Sequence, residues 1–194
     1  MLGTHAFFGA DIQRLGRIAA EGAFAEGAGA YREHAVRTAY ARRILQDKAP
    51  MRPLRVIWDP GNGAVGDVLP EVSAGLPGSH DVLNGVVDGT FPAHHPDPTV
   101  PANLEQLRTA VRERRADLGF AFDGDGDRIG LVDAQGEILW GDQILALLAE
   151  PVLAERPGAR VIADVKASAV LFERIVELGG EPVMWKTGHS LIKA

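Results

Sequence analysis

Two short apolar runs, Leu118-Gly119-Phe120-Ala121-Phe122 and Ile129-Gly130-Leu131-Val132, enclose the segment Asp123-Gly124-Asp125-Gly126-Asp127-Arg128. Apolar runs of this length read as buried strands, so the acidic segment between them is a loop at strand ends. In extended chain the side chains at i, i+2 and i+4 point to one side. The two glycines let the backbone bend until the three carboxylates converge. Like charges that close repel one another unless a cation sits among them. Carboxylate oxygens are hard ligands, and a compact all-oxygen site suits Mg²⁺ better than Zn²⁺. Mg²⁺ keeps ligand positions for water or a substrate phosphate, and the chemistry this implies is phosphoryl transfer. The plain alternative is a solvated acidic turn, but a turn that needs only polarity does not need three aspartates between two strands. An EF-hand loop, which also begins D-x-D-x-D, requires Gly at its sixth position and Glu at its twelfth. Arg128 and Ala134 stand there, and the flanks read as strands.

At 194 residues the chain has room for one large domain or two small ones. A formal net charge of −6 gives a nucleic-acid partner no electrostatic support. Arg108, Arg112, Arg114 and Arg115, interspersed with Glu105 and Glu113, read as a solvated helix face. No apolar run approaches the roughly 18–20 residues of a membrane span. Met1-Leu2-Gly3-Thr4-His5 lacks the basic start and apolar core of a signal peptide. The chain has no cysteine, so disulfide and thiolate chemistry are out of reach. The expected location is the cytoplasm, with no membrane partner.

Elsewhere the pattern alternates. Ile12, Leu15, Ile18 and Ala19 have helical spacing over 11–20, the Gly- and Ala-rich stretch 22–30 reads as loop, and a second helical pattern covers 36–45. A strand is predicted over 54–58, then the turn Asp59-Pro60-Gly61-Asn62-Gly63-Ala64, a helix from Val65 toward Leu76 and a strand over 81–83. Residues 100–115 form a helix with Leu104, Leu107 and Val111 on one face. After the aspartate loop and its second strand come a turn at Gln135-Gly136 and a short strand over 138–140. Asp142 is expected to cap a helix through Leu148, followed by a strand over 161–163, a helix over 168–178 and a strand over 182–185. The fold class is α/β, with mixed, mainly parallel sheets covered by helices. The first two helices have no strand to cover, and the final unit stops soon after a strand. The expectation is a chain truncated at both ends.

Other residues are candidates for chemistry. Glycines in Asp59-Pro60-Gly61-Asn62-Gly63 could turn backbone N–H groups toward an anion, but a tight strand-to-helix turn is the favoured reading. Asp88-Gly89-Thr90-Phe91-Pro92-Ala93-His94-His95-Pro96-Asp97-Pro98 is stiffened by its prolines. It reads as a loop packed beside the aspartate loop, not as a metal site of adjacent histidines. Lys166 and Thr187-Gly188-His189-Ser190 follow strands, at the ends where open α/β sheets bind ligands. They are suitable donors to phosphate or sugar hydroxyls, with surface decoration as the alternative. The serines are Ser73, Ser79, Ser168 and Ser190, and none has the context of a nucleophile. Ser79-His80 is placed in a Pro-Gly turn.

Taken together, DPGNGAVG (59–66), DGTFPAHHPDP (88–98), LGFAFDGDGDRIG (118–130), DVK (164–166) and WKTGHSLIK (185–193) resemble the α-D-phosphohexomutases. The resemblance is greatest to the bacterial phosphomannomutase/phosphoglucomutase branch, and Phe8-Gly9-Ala10-Asp11-Ile12 is similar to the end of that family's first domain. It implies a four-domain enzyme over twice this length, moving phosphate between C6 and C1 of a hexose through a bisphosphorylated sugar. It implies that 1–35 is the remnant of domain 1, 36–135 is domain 2 with the metal-binding loop, and 136–194 is an incomplete domain 3. It further implies that Asp123, Asp125 and Asp127 bind Mg²⁺ together with a phosphoserine oxygen, and that Arg128 steadies the loop or the phosphoserine. Lys166 becomes a candidate for proton transfer or phosphate orientation, and His189, with Ser190 beside it, contacts the sugar phosphate. The family's serine loop (T-A-S-H-N-P), its sugar-reading loop (G-E-M-S-G-H) and its fourth domain are absent from the 194 residues. The isolated chain is therefore expected to be inactive. The rival readings are a non-catalytic Mg²⁺-binding module that pairs with another chain, and an unrelated Mg²⁺ phosphatase using an aspartate nucleophile.

Overall fold

A computed structural model describes residues 8–47, 51–188 and 191–192. They group into two compact units, one over 34–144 and one formed by the described residues outside that range.

The 34–144 unit is built on a five-stranded sheet in the order β2-β1-β3-β4-β5. Its strands are β1 (Leu54–Asp59), β2 (Gly78–Val82), β3 (Leu118–Phe122), β4 (Ile129–Asp133) and β5 (Ile138–Leu139). β1 runs parallel to both β2 and β3, whereas β3–β4 and β4–β5 are antiparallel. A parallel pair needs a crossover, and helix α3 (Val65–Ala74) connects β1 to β2. A long loop, a 3-10 turn (Pro101–Leu104) and helix α4 (Glu105–Arg114) connect β2 to β3. The apolar stripe of the 3-10 turn and α4 lies on one sheet face, where Leu104, Leu107 and Val111 join Ile57, Ala121 and Val132 in the buried core. Register puts Ile57 beside Gly119 on β3, and Gly119 is paired to Val132 on β4. A Cβ on Gly119 would lie 2.7 Å from Val111, so its hydrogen lets α4 sit close on the sheet. Helix α2 (Arg37–Gln46) packs on α3, with Ala41 buried and Arg37 bonded to Asp67 and Glu71.

In the other unit, β6 (Arg160–Asp164) and β7 (Glu181–Trp185) pair in parallel. Helix α5 (Gly141–Glu155), from Leu145 onward, and helix α6 (Ala169–Glu177) close a core of Ala149, Leu153, Ala163, Leu171 and Ile175. Helix α1 (Ala10–Glu21) buries none of its residues.

Three expectations need correction. Residues Ser79 and His80 lie inside β2, not in a turn. The strand starts at Gly78, opposite Leu54, and ends at Val82, one residue before the expected end. Pairing with β1 decides this, and the Trp58 indole N–H donates to His80 Nδ1 at 3.2 Å. Asp142 stands within the first turn of α5, which begins at Gly141, rather than ahead of it, and its Oδ1 accepts the Gln143 N–H at 3.0 Å. Nor does α5 stop at Leu148. It continues through Pro151 to Glu155, because the buried Ala149 and Leu153 hold the last turns to the core against the proline's preference.

Candidate metal centre

The aspartate loop joins β3 to β4 as a tight antiparallel connection, with the Asp123 N–H bonded to the Arg128 carbonyl at 3.3 Å. Asp123, first after β3, is 3% exposed. A buried carboxylate needs partners, and both of its oxygens have one. Oδ1 accepts the Arg128 backbone N–H at 2.9 Å, and Oδ2 accepts Arg128 Nε–H at 2.7 Å. Asp125 and Asp127 are exposed, and one carboxylate oxygen from each of the three aspartates lies within 4.8 Å of the others. Mg²⁺–oxygen distances of about 2.0–2.1 Å put opposite ligands about 4 Å apart. The donor set is oxygen only. The ligand chemistry suits a hard divalent cation.

Burial is the largest single influence on Asp123 and raises its pKa. The Arg128 N–H, its guanidinium and Asp125 together outweigh burial and hold the carboxyl below its ordinary value. The hydrogen bond to Asp123 in turn holds Arg128 more firmly protonated. Arg128 also donates through Nη1 to Asp97 Oδ1 at 3.1 Å. Asp97 itself accepts from the Thr99 hydroxyl at 2.7 Å and from the Thr99 N–H at 3.0 Å. Those bonds, the hydroxyl first, lower its pKa. Asp88 is lowered in the same way by the N–H and then the hydroxyl of Thr90.

A carboxyl whose folded pKa is depressed contributes stability that is present above its unfolded value and lost as pH falls through the folded value. The melting temperature of the chain should therefore drop between about pH 5 and about pH 2, with Asp88 and Asp97 contributing to the drop. Thr99→Val, which removes the larger influence on Asp97, should make the drop shallower in a thermal-melt series.

The loop is held from below by the turn after β1. The Ala64 N–H donates to the Gly124 carbonyl at 2.9 Å. A Cβ on Gly63 would stand 2.8 Å from that oxygen, and a Cβ on Gly126 (φ 78°) would stand 2.4 Å from Val65 Cγ2. The glycines of Asp59-Pro60-Gly61-Asn62-Gly63 thus serve a tight turn and a close backbone approach. Asn62 in the left-handed region (φ 62°) binds the neighbouring segments: its N–H reaches the Asn84 carbonyl, its Nδ2 the Val86 carbonyl and its carbonyl the Asp88 N–H. The 88–98 loop lies against the aspartate loop, where a Cβ on Gly124 would meet Phe91 at 3.4 Å and Pro96 at 3.6 Å.

The structure brings Asp123, Asp125, Asp127 and Arg128 together in one loop of the 34–144 unit. Lys166 belongs to the other unit. It is exposed just past β6, with its backbone N–H bonded to Asp164 Oδ1 at 2.9 Å. His189 and Ser190 lie outside the described residues. Reading by motif did not single out Asp59 as a functional residue. It is fully buried at the end of β1 and accepts from the Gly61 N–H, from Asn84 and from His94. The available signal was an ionisable residue closing an apolar strand.

Fold and loop together define an α/β protein with a carboxylate cluster at the end of a sheet strand, suited to an oxygen-coordinated cation. The chain belongs to the phosphoglucomutase/phosphomannomutase family: residues 34–136 match the model of its alpha/beta/alpha domain II, and residues 140–194 that of domain III. It is 44% identical over 182 residues to a phosphomannomutase/phosphoglucomutase of Pseudomonas aeruginosa, covering 94% of this chain and 39% of that protein. It is 41% identical over 196 residues to a phosphoglucomutase of Neisseria gonorrhoeae, covering 100% of this chain and 43% of that protein. A crystal structure of a phosphoglucomutase/phosphomannomutase family protein from Burkholderia thailandensis superposes with a TM-score of 0.92 at 42% identity, covering 97% of this chain and 41% of that one. The chain thus spans about two fifths of the length of these relatives. Among the described residues no helix is long and apolar enough to cross a membrane.

Proposed function

We propose that this chain is the metal-holding part of a Mg²⁺-dependent phosphohexomutase. The complete enzyme would interconvert hexose 1-phosphate and hexose 6-phosphate, of mannose or glucose, through a phosphoserine and a bisphosphorylated sugar. The observation that carries the proposal is the convergence of Asp123, Asp125 and Asp127 on an Arg128-anchored loop, within a stretch matched to domain II of the family. On this reading the boundaries 1–35, 36–135 and 136–194 separate the remnant of domain 1, domain 2 and part of domain 3, and the protein works in the cytoplasm.

Asp123, Asp125 and Asp127 would hold Mg²⁺. When bound, the ion supplies positive charge against the oxygens of the transferring phosphoryl group. Arg128 keeps Asp123 ionised and aimed by occupying one lone pair on each oxygen, leaving the others for the cation. Lys166 offers a mobile cationic donor for orienting a phosphate or passing a proton. His189 and Ser190 are proposed to contact the sugar phosphate. The nucleophilic serine of the family motif is not among the 194 residues. The polypeptide by itself is therefore expected to bind the cation without turnover.

The test is to incubate the purified chain with Mg²⁺, glucose 1,6-bisphosphate and mannose 1-phosphate and follow mannose 6-phosphate. The expected result is no product above the blank. Turnover by the chain alone would contradict the assignment of catalysis to a serine outside it. Hydrolysis of a generic phosphate ester, lost in Asp123→Asn, would favour the phosphatase reading instead.

A further inference from the structure

We propose that His94, held on the buried carboxylate of Asp59, is a positioning residue for the aspartate loop. This rests on the reading of Asp123, Asp125 and Asp127 as cation ligands. His94 Nε2 lies 3.0 Å from Asp59 Oδ2, and its Nδ1 lies 3.1 Å from the His95 carbonyl oxygen. The ring thus bridges the Asp59 carboxylate and the backbone of its own loop. Asp59 is 0% exposed, and its other oxygen takes the Gly61 N–H at 3.0 Å and Asn84 Nδ2 at 2.9 Å. The pair therefore clamps the 88–98 loop to the end of β1.

Two observations connect that clamp to the metal loop. First, the residues just after His94 reach it directly: Pro96 sits beside Gly124, and Asp97 holds the Arg128 guanidinium that orients Asp123. Second, the clamped segment is under backbone strain. Phe91 adopts φ 50°, a conformation that a bulky side chain disfavours and that persists only when its surroundings enforce it. Phe91 also packs beside Gly124. Releasing His94 lets the segment relax, and Asp97, Arg128 and Asp123 lose their fixed geometry in turn. Residues that orient metal ligands from behind typically change affinity by about 10–100-fold when removed.

The test uses Mn²⁺ as the probe, titrated calorimetrically into the whole chain. His94→Ala should weaken Mn²⁺ by about tenfold or more while far-UV circular dichroism remains unchanged. Asp59→Asn should stay within about threefold of wild type, because the new amide keeps an oxygen for the Gly61 N–H and Asn84 and a polar group facing the His94 ring. As a control for plain destabilisation, Asp117→Ala removes the acceptor of the Arg55 N–H at the opposite end of β1 and β3. It should lower the melting temperature and leave the Mn²⁺ affinity alone. Amide hydrogen exchange gives a reading without metal: His94→Ala should speed exchange at Ala64 and Arg128, whose N–H groups bond to the loop. Wild-type affinity together with unchanged exchange in His94→Ala would overturn the proposal, as would an Asp59→Asn as impaired as His94→Ala. A wild-type chain that does not bind Mn²⁺ would defeat the metal reading itself. The exchange measurement would still decide the positioning role.

Discussion

Asparagine at both Asp125 and Asp127 should abolish divalent-cation binding and leave the fold intact. Both side chains are exposed. Asp123 keeps its bonds to Arg128 in the variant. What changes is the donor set, from three anionic oxygens to one, and cation affinity depends steeply on ligand charge. A loss of at least about a hundredfold is expected. The metal-free chain should be no less stable, and slightly more so, because the substitution removes repulsion between neighbouring carboxylates. The measurement is the melting temperature with and without millimolar Mg²⁺. A ligand that binds only the folded state raises it, so wild type should shift upward and the double variant should not. Equal shifts would place the cation elsewhere.

The second large effect is expected at Gly63→Ala. A methyl there would stand 2.8 Å from the Gly124 carbonyl and 2.9 Å from the Pro60 carbonyl, and 3.0 Å from Gly124 Cα. All three are backbone atoms, so no side-chain rotation relieves the contact. The strand-to-helix turn and the aspartate loop have to separate, which breaks the Ala64 N–H bond to Gly124. Forced overpacking of this kind costs about 1–3 kcal/mol, and here the displaced element is the proposed ligand loop. Urea unfolding should show a destabilisation in that range, and Mn²⁺ affinity should fall even where the variant is fully folded. Wild-type affinity in a destabilised Gly63→Ala would separate the turn from the site.

The elements that carry the site were legible because their chemistry is local. Leu118 to Phe122 and Ile129 to Val132 are apolar runs closed by glycine-rich polar chain, and they fold as β3 and β4. The alternating aspartates between them declare their geometry by spacing alone. The first half of β2 was hidden because Gly78-Ser79-His80 has no apolar residue. Its conformation is imposed by β1 alongside, which no local propensity records. The far half of α5 was hidden by Pro151, a local breaker overruled by burial of Leu153. The support of the aspartate loop was hidden for a third reason. Asp59 and His94 are 35 residues apart and meet only in the folded sheet. Asn62 reads as a turn residue until its four backbone partners are seen.

On the reading proposed above, these residues form the metal-holding core of a mutase whose nucleophile lies outside the 194 residues. Mutase activity under complementation tests it most directly. The chain would be mixed with a separately expressed first domain and C-terminal portion of a family member, with Mg²⁺, glucose 1,6-bisphosphate and mannose 1-phosphate. Mannose 6-phosphate should form only when all parts are present, and not with Asp125→Asn/Asp127→Asn. No activity from the reassembled parts, while the chain still binds Mg²⁺ at Asp123, Asp125 and Asp127, would contradict that reading and leave a metal-binding module without a mutase role.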